Sequence, residues 1–461
     1  MGTRTPPFER LRGRQPNRLL ILPSQHSGLT RMNPLYRNDK PGTYPQSWYA
    51  ATADLGPERP SLAGDIRTDV VVIGAGYTGL STALHAAQKG LSVVVVEAHR
   101  VGFGASGRNG GQVGTGWNKN QMWLAKRLGS DTARQLWDLT VEAKSLTRSL
   151  AADHAPEANY RPGVFQGEWS QSGAKDAQTY GNWLQETYNY ETEYLDRDAV
   201  QDVCKTTVYR GGLLDWDAGH IHPLRYVLGL ARGAEAAGAR IFERTEAIGV
   251  KSGEVRTSHG TIHADHVVLA GNGYLPDLNP QISSRVMPIN SFIAATEPLG
   301  DRAKDVLTKD IAVADDQFVV NYFRLSEDSR LLFGGRESYT LGFPSDIVGA
   351  LRNRMLKLFP QLDGVKIDYH WGGTLGITMT RLPMLRQVAP GVIAAGGFSG
   401  HGVAITGLTG KIVAEAIAGH AGRFDLMSQL PTNSFPGGRI ARTPLLALGM
   451  TWFSLRDRLG F

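Results

Sequence analysis

Gly74, Gly76 and Gly79 stand in the spacing G-x-G-x-x-G, and an acid, Glu97, follows within the length of one helix and one strand. That combination suits the pyrophosphate and one ribose of a dinucleotide. Gly74 permits a tight turn, Gly76 removes a side chain so that a pyrophosphate can approach the backbone, and Gly79 lets a helix pack close to a strand. Ala75, Tyr77 and Thr78 lie at the helix start, where free N–H groups and a partial positive charge favour phosphate. Glu97, with Ala98 beside it, sits where a carboxylate can accept both ribose hydroxyls. An acid there disfavours a 2′-phosphate and so argues against NADP.

The flanking sequence supplies the elements these residues need. Val70 to Ile73 reads as a buried strand, Tyr77 to Lys89 as a helix stopped by Gly90, and Val93 to Val96 as a second buried strand. This is a complete βαβ unit, although it does not separate NAD from FAD. A second Gly-rich loop follows, containing Gly104, Ala105, Ser106, Arg108, Asn109, Gly110, Gly111 and Gln112. Another buried strand, His266 to Ala270, ends at Gly271. A short strand from Gly391 to Ala395 leads into a third loop, Gly397-Phe398-Ser399-Gly400-His401-Gly402, which opens a helix from Val403. Helical patterns also cover roughly 120–154, 174–188, 222–237 and 345–358. Val286 to Thr296, Phe318 to Leu325 and Leu331 to Gly335 read as antiparallel strands.

The expected class is α/β, α+β overall: a Rossmann-type domain assembled from discontinuous segments, plus a mixed antiparallel-sheet substrate domain. The expected segments are 66–125, 205–280 and 370–425 for the nucleotide domain and 126–204 with 281–369 for the substrate domain. Residues 32–65 are expected to wrap the surface and 426–461 to pack on the body as a tail.

The chain has 461 residues, enough for two or three domains. Its net charge of +6 is uneven: Arg4, Arg10, Arg12, Arg14, Arg18 and Arg31 face Glu9 alone in residues 1–31, a net +5, which leaves the body near +1. A near-neutral body argues against nucleic acid as a partner. Residues 1–31 read as a basic disordered arm or as an extension ahead of a start at Met32. Cys204 is the single cysteine, so an internal disulfide and a cysteine-based metal site are excluded, no metal is expected, and a reducing, cytoplasmic setting is expected. No apolar run is long enough for a transmembrane helix. The apolar stretch Pro444 to Leu455 is expected to pack on the body, with peripheral membrane contact as the alternative.

The segments Ser47-Trp-Tyr-Ala-Ala-Thr52, Gly74 to Gly79, Glu97 to Gly102, Gly104 to Gln112, Tyr322-Phe-Arg-Leu-Ser326, Leu332 to Arg336, Trp371-Gly-Gly373, Arg381-Leu-Pro383, Gly397 to Gly402 and Phe435 to Arg439 together resemble one family. It is that of the FAD-dependent amine and amino-acid oxidoreductases related to D-amino-acid oxidase and sarcosine oxidase. Within it the chain is most similar to the gamma-glutamylputrescine oxidoreductases. The likeness runs over roughly residues 33–461. Some relatives carry flavin on a late cysteine and others on a histidine in the loop after the second strand. This chain has no cysteine after Cys204, and its loop reads Ser106-Gly-Arg-Asn109, so FAD is expected to be held non-covalently.

The resemblance implies oxidation of a C–N bond. The neutral amine delivers hydride to flavin N5, and the resulting imine is hydrolysed to an aldehyde. Reoxidation is by oxygen or another acceptor. The Gly397 to Gly402 loop would aim a positive helix end at the flavin N1–C2=O edge. His401 would tune protonation near the ring. Tyr322, Trp371 and Phe398 would form aromatic walls that keep the amine deprotonated. Arg108 would hold a phosphate or position substrate, and Arg324, Arg336 and Arg381 are the candidates to meet a distal carboxylate. The alternatives are a glycine-, sarcosine- or D-amino-acid-type oxidase and, from another class, a flavoprotein that binds or modifies nucleic acid.

Overall fold

The computed structural model describes residues 33–275, 278–338 and 342–436. The expectations for residues 1–31 and for Pro444 to Leu455 lie outside the described residues.

The βαβ unit forms as its sequence requires. Strand Ile66–Ile73, whose last four residues are all buried, pairs in parallel with Val93–Val96 on one side and Gly260–Leu269 on the other. A strand covered on both faces must be apolar throughout, which the run Val70 to Ile73 provides. Further out, Arg240–Phe242 pairs in parallel with Val93–Val96, and Val392–Gly396 in parallel with Gly260–Leu269. Two additions were not legible in the sequence: strand Met384–Ala389 runs antiparallel at one edge, and the hairpin Ala247–Lys251/Glu254–Thr257 joins the start of Gly260–Leu269. Helix Tyr77–Gln88 packs against helix Val403–Ile417, so the third Gly-rich loop is carried to the same end of the sheet as the first.

The second sheet has nine strands. Its order is Ile367–Ile377, Met287–Thr296, Leu331–Ser338, Tyr322–Leu325, Ala312–Asp315, Arg161–Glu168, Gly211–His220 and Gln112–Val113, with Glu193–Asp196 added on Gly211–His220. Three expected boundaries shift. Gln112–Val113, Gly211–His220 and most of Ile367–Ile377 fall within the segments expected for the nucleotide domain, yet they hydrogen-bond within the second sheet. Strand partners are chosen by non-local pairing, which local sequence does not encode.

Two other differences have local causes. The helical stretch near 120–154 is two helices, Gln121–Leu128 and Ser130–His154, because Gly129 takes φ 88° between them. The strand expected from Phe318 begins only at Tyr322. Asp315 Oδ1 accepts from Asn321 N at 2.8 Å and Gln317 N at 3.3 Å, which curls residues 316–320 into a loop. Among the described residues, no helix is long and apolar enough to cross a membrane.

Candidate active site

Both sheets and all three Gly-rich loops converge on one cavity of about 1020 Å³. That volume lies at the upper end for small-molecule sites, as an extended dinucleotide with room for a substrate requires.

At the first loop, Gly74 takes φ 105° and its turn lies against the backbone of Ala270 and Gly271. Only glycine holds this conformation without strain. Gly79 does not line the cavity. A Cβ there would sit 2.0 Å from Gly74 O, so its role is to let the helix abut the turn. Leu80 N–H is the first to bond back along the helix, to Gly76 O at 2.9 Å, and the N–H groups before it project from the helix end. One of them, that of Tyr77, donates to Ser106 Oγ at 3.0 Å. A Cβ on Gly76 would sit 2.8 Å from the same oxygen. The second Gly-rich loop therefore docks directly onto the phosphate end of the first, a contact that the spacing alone did not reveal.

Glu97 is held by N–H donors from Ala75 at 2.9 Å and His99 at 3.0 Å. Burial pushes its carboxyl upward, and these donors oppose the shift. Each oxygen keeps a lone pair for a ribose hydroxyl. Ala98 lines the cavity beside it.

Along the second loop, Asn109 shapes the backbone. Its Nδ2 donates to Ala105 O and Ser106 O, both at 3.0 Å, and its Oδ1 accepts from Gly111 N at 2.8 Å. Gln112 ties the end of the loop to Val313 O at 2.8 Å. Gly104, Ala105, Gly110 and Gly111 present backbone to the cavity.

Arg108 is not a solvated loop residue: it lines the cavity, and its buried Nη2 has no hydrogen-bond partner among the described residues. It is buried, donating to Phe103 O at 2.6 Å, Gly372 O at 3.0 Å and the Asp39 carboxylate at 2.9 Å. Arg324 leaves the group of substrate candidates. It is buried behind the second loop, with Nε donating to Gly110 O at 3.0 Å and Nη2 to Ile221 O and the Tyr49 hydroxyl, each at 3.3 Å. Trp371 is also outside the cavity. Its indole N–H donates to Arg108 O at 3.0 Å and its ring meets Tyr49 edge-on, so it braces the loop from behind.

The third loop fills the opposite wall. Phe398, Ser399, Gly400, His401 and Gly402 line the cavity. Gly397 stands behind them, its N–H held by Asn272 Oδ1 at 2.8 Å. Ser399 takes φ 55°, and its N–H donates to Gly376 O at 3.0 Å. Helix Val403–Ile417 starts at once with no side-chain cap, so its first N–H groups face the cavity side. His401 Nε2 lies 3.0 Å from Gly116 O. A carbonyl only accepts, so Nε2 carries the hydrogen. Burial pushes the imidazole down, and its hydrogen bonds to the backbone of Gly116 and Thr115 oppose the shift. Tyr322 lines the cavity, its hydroxyl 3.2 Å from Ser291 Oγ. Burial pushes the phenol up, so it is neutral.

Of the distal arginines, Arg336 and Arg381 line the cavity and neither forms an ion pair with an acid among the described residues. Arg336 donates to Asp346 O. Arg381 takes φ 65°, a left-handed conformation that is costly for a side-chain-bearing residue and clusters at functional sites.

Sequence reasoning missed Asn118, whose amide donates to Ser399 O at 2.7 Å, and Asn272, which joins the end of Gly260–Leu269 to Gly397. The latter left a trace in the run Gly271-Asn-Gly-Tyr274, since Asn tolerates the φ of 49° adopted there.

His99, fully buried beneath the cavity, gives a pH prediction. Burial pushes it down to about 4 from 6.5, Arg108 adds to the shift, and Leu35 O and Asp39 oppose it. Between these values the unfolded chain binds more protons than the folded one. The site therefore loses stability as pH falls through 6.5, by roughly 3 kcal/mol once pH is below about 4. In thermal melts from pH 7 to 4, His99→Gln is expected to lose less stability than the unaltered protein. Parallel curves would contradict this.

Comparison with known proteins agrees with the geometry. Residues 69–416 match the family described as FAD dependent oxidoreductase (DAO). The chain is 39% identical over 421 residues to gamma-glutamylputrescine oxidoreductase of Escherichia coli (strain K12), covering 90% of this chain and 98% of that one. It is 41% identical over 420 residues to the probable oxidoreductase OrdL of Rhizobium meliloti (strain 1021), covering 89% and 97%. Among solved structures, glycine oxidase from Geobacillus kaustophilus superposes with a TM-score of 0.67 at 21% identity, covering 80% of this chain and 100% of that one. A Gly turn at a helix end, a buried acid beside it and Gly-rich loops lining a cavity between two sheets suit FAD, and the chain belongs to the DAO family of FAD-dependent oxidoreductases.

Proposed function

We propose that this enzyme oxidises the C–N bond of a gamma-glutamyl amine, gamma-glutamylputrescine or a related gamma-glutamylated polyamine. An aldehyde is the product after hydrolysis, and the electrons pass to oxygen or another acceptor. FAD, bound without a covalent link, supplies the hydride acceptor. The single cysteine, Cys204, is buried in a separate cluster away from the cavity, which supports the non-covalent reading.

The observation that carries this reading is the charge lining the cavity. Arg336 and Arg381 line it with no acidic ion-pair partner among the described residues, and Asp315, Asp316 and Glu337 line the same cavity. A gamma-glutamyl amine offers a carboxylate and an ammonium at the end remote from the reacting carbon, and both signs are needed to hold them. A simple diamine has no carboxylate to meet the arginines. The likeness to the Escherichia coli enzyme supports the same substrate class.

The chain's own residues divide the work. Ring and backbone surfaces of Tyr322, Phe398, Gly110 and Gly111 exclude water from the reacting amine, which favours its neutral, lone-pair-bearing form. The start of helix Val403–Ile417 supplies a positive end in a site where negative charge develops. His401, fixed by Gly116 O, positions the loop.

Anaerobic bleaching of the flavin absorbance by a panel of amines tests the proposal. Gamma-glutamylputrescine is expected to reduce the flavin faster than putrescine, glycine or sarcosine. Reduction by simple amino acids alone would favour the glycine- or sarcosine-type reading and end this one. Arg381→Met is expected to raise KM for the gamma-glutamyl amine about 10- to 100-fold, the worth of one charge-assisted hydrogen bond, and to leave KM for putrescine unchanged. An equal change for both amines would remove Arg381 from carboxylate recognition.

A further inference from the structure

Ahead of the βαβ unit, the segment Asn33 to Tyr44 crosses the loop that follows strand Val93–Val96 and is tied to it along its length. His99 Nε2–H donates to Leu35 O at 2.8 Å and His99 Nδ1 accepts from Gly42 N at 3.0 Å. The Tyr36 hydroxyl donates to Glu246 at 2.5 Å and the Tyr44 hydroxyl to Val101 O at 2.7 Å. Asp39 pairs with Arg108 at 2.9 Å, and that guanidinium lies 4.4 Å above the Phe103 ring, which in turn stacks on His99 at 3.8 Å.

This strap contributes to the cavity itself. Asn33 and Leu35 line it together with Glu97, Glu246 and Ile248. Ile248 is 54% exposed, a large apolar side chain left bare, and Leu35, Leu275 and Leu278 lie along the same end. An apolar slot next to a ribose-binding acid fits the flat face of an adenine ring.

We propose that the Asn33–Tyr44 strap is part of the FAD site: Leu35 and Asn33 close the adenine end over Ile248, and the Asp39–Arg108 pair is the latch that couples strap closure to FAD retention. The βαβ motif then holds the pyrophosphate and ribose, and a segment outside the motif holds the base. Arg108 reports strap closure to the second Gly-rich loop, because the same side chain fixes Phe103 O and Gly372 O.

Limited trypsin digestion of the holoenzyme and of the full-length chain stripped of FAD tests this. Arg37, on the strap, is exposed, and Arg302, on the second domain, serves as an internal reference. FAD is expected to slow cleavage after Arg37 at least 10-fold relative to cleavage after Arg302. In parallel, Asp39→Asn is expected to release FAD about 10-fold faster and to shrink the difference in Tm between the FAD-loaded and stripped forms. An unchanged Arg37:Arg302 ratio on adding FAD would overturn the proposal. So would an equal fall in Tm of both forms of Asp39→Asn with FAD release unaltered, since that marks a packing contact only. If Asp39→Asn does not fold, the digestion of the unaltered chain decides alone.

Discussion

Gly79→Ala is expected to yield a protein purified without yellow colour. A Cβ at this position would lie 2.0 Å from the Gly74 carbonyl oxygen and 3.1 Å from Val72 Cγ1. Overpacking in a core that can yield costs about 1–3 kcal/mol. Here the atom struck is the backbone of the cofactor turn, itself wedged against Ala270 and Gly271, so yielding means opening the cradle. The helix end would move away from the pyrophosphate, and the Ser106 contact to Tyr77 N would go with it. FAD affinity is expected to fall at least 100-fold, with the second sheet and its core cluster intact. The ratio of flavin to protein absorbance, together with far-UV circular dichroism, checks this. Full flavin occupancy in Gly79→Ala would show that the turn tolerates displacement.

The second large effect is expected from Glu97→Ala. The carboxylate organises Ala75 N and His99 N, and its remaining lone pairs suit the ribose hydroxyls. Two charge-assisted hydrogen bonds at about 1.5 kcal/mol each or more correspond to roughly 100-fold or more in Kd. Two N–H groups would also lose their acceptor and relax the turn. Titration of the stripped protein with FAD, followed by flavin fluorescence, measures the change. Glu97→Gln is expected to lie between the two, since an amide retains one acceptor oxygen. A Glu97→Ala variant that binds FAD as tightly as the unaltered protein would remove Glu97 from ribose recognition.

The elements of the βαβ unit were legible in the sequence. The run Val70 to Ile73, the glycine spacing and Glu97 are local signals, because one strand, one turn and one helix bring them together within a single βαβ unit. The two later loops were legible as Gly-rich segments at strand ends. Their meeting with the first loop was not, because it depends on helix Tyr77–Gln88 packing on Val403–Ile417 and on Ser106 reaching the N-terminus of the first helix.

The substrate end was much less legible. Trp371 and Arg324 have the types expected of a site, yet both are spent largely on backbone carbonyls behind the wall. Arg336 and Arg381, of the same type, face the cavity. Nothing in their neighbouring residues separates the two groups. What separates them is sheet register and burial: a buried guanidinium must find oxygens, and in this fold the carbonyls of Gly110, Ile221 and Gly372 are the ones in reach.

The chain thus carries a dinucleotide signature in a contiguous stretch, because a Gly turn at a helix end and one acid at fixed spacing are local features. Which charged and aromatic side chains meet the substrate depends on long-range strand pairing between two sheets. That pairing is set by non-local burial and hydrogen bonding, which no single stretch of residues encodes.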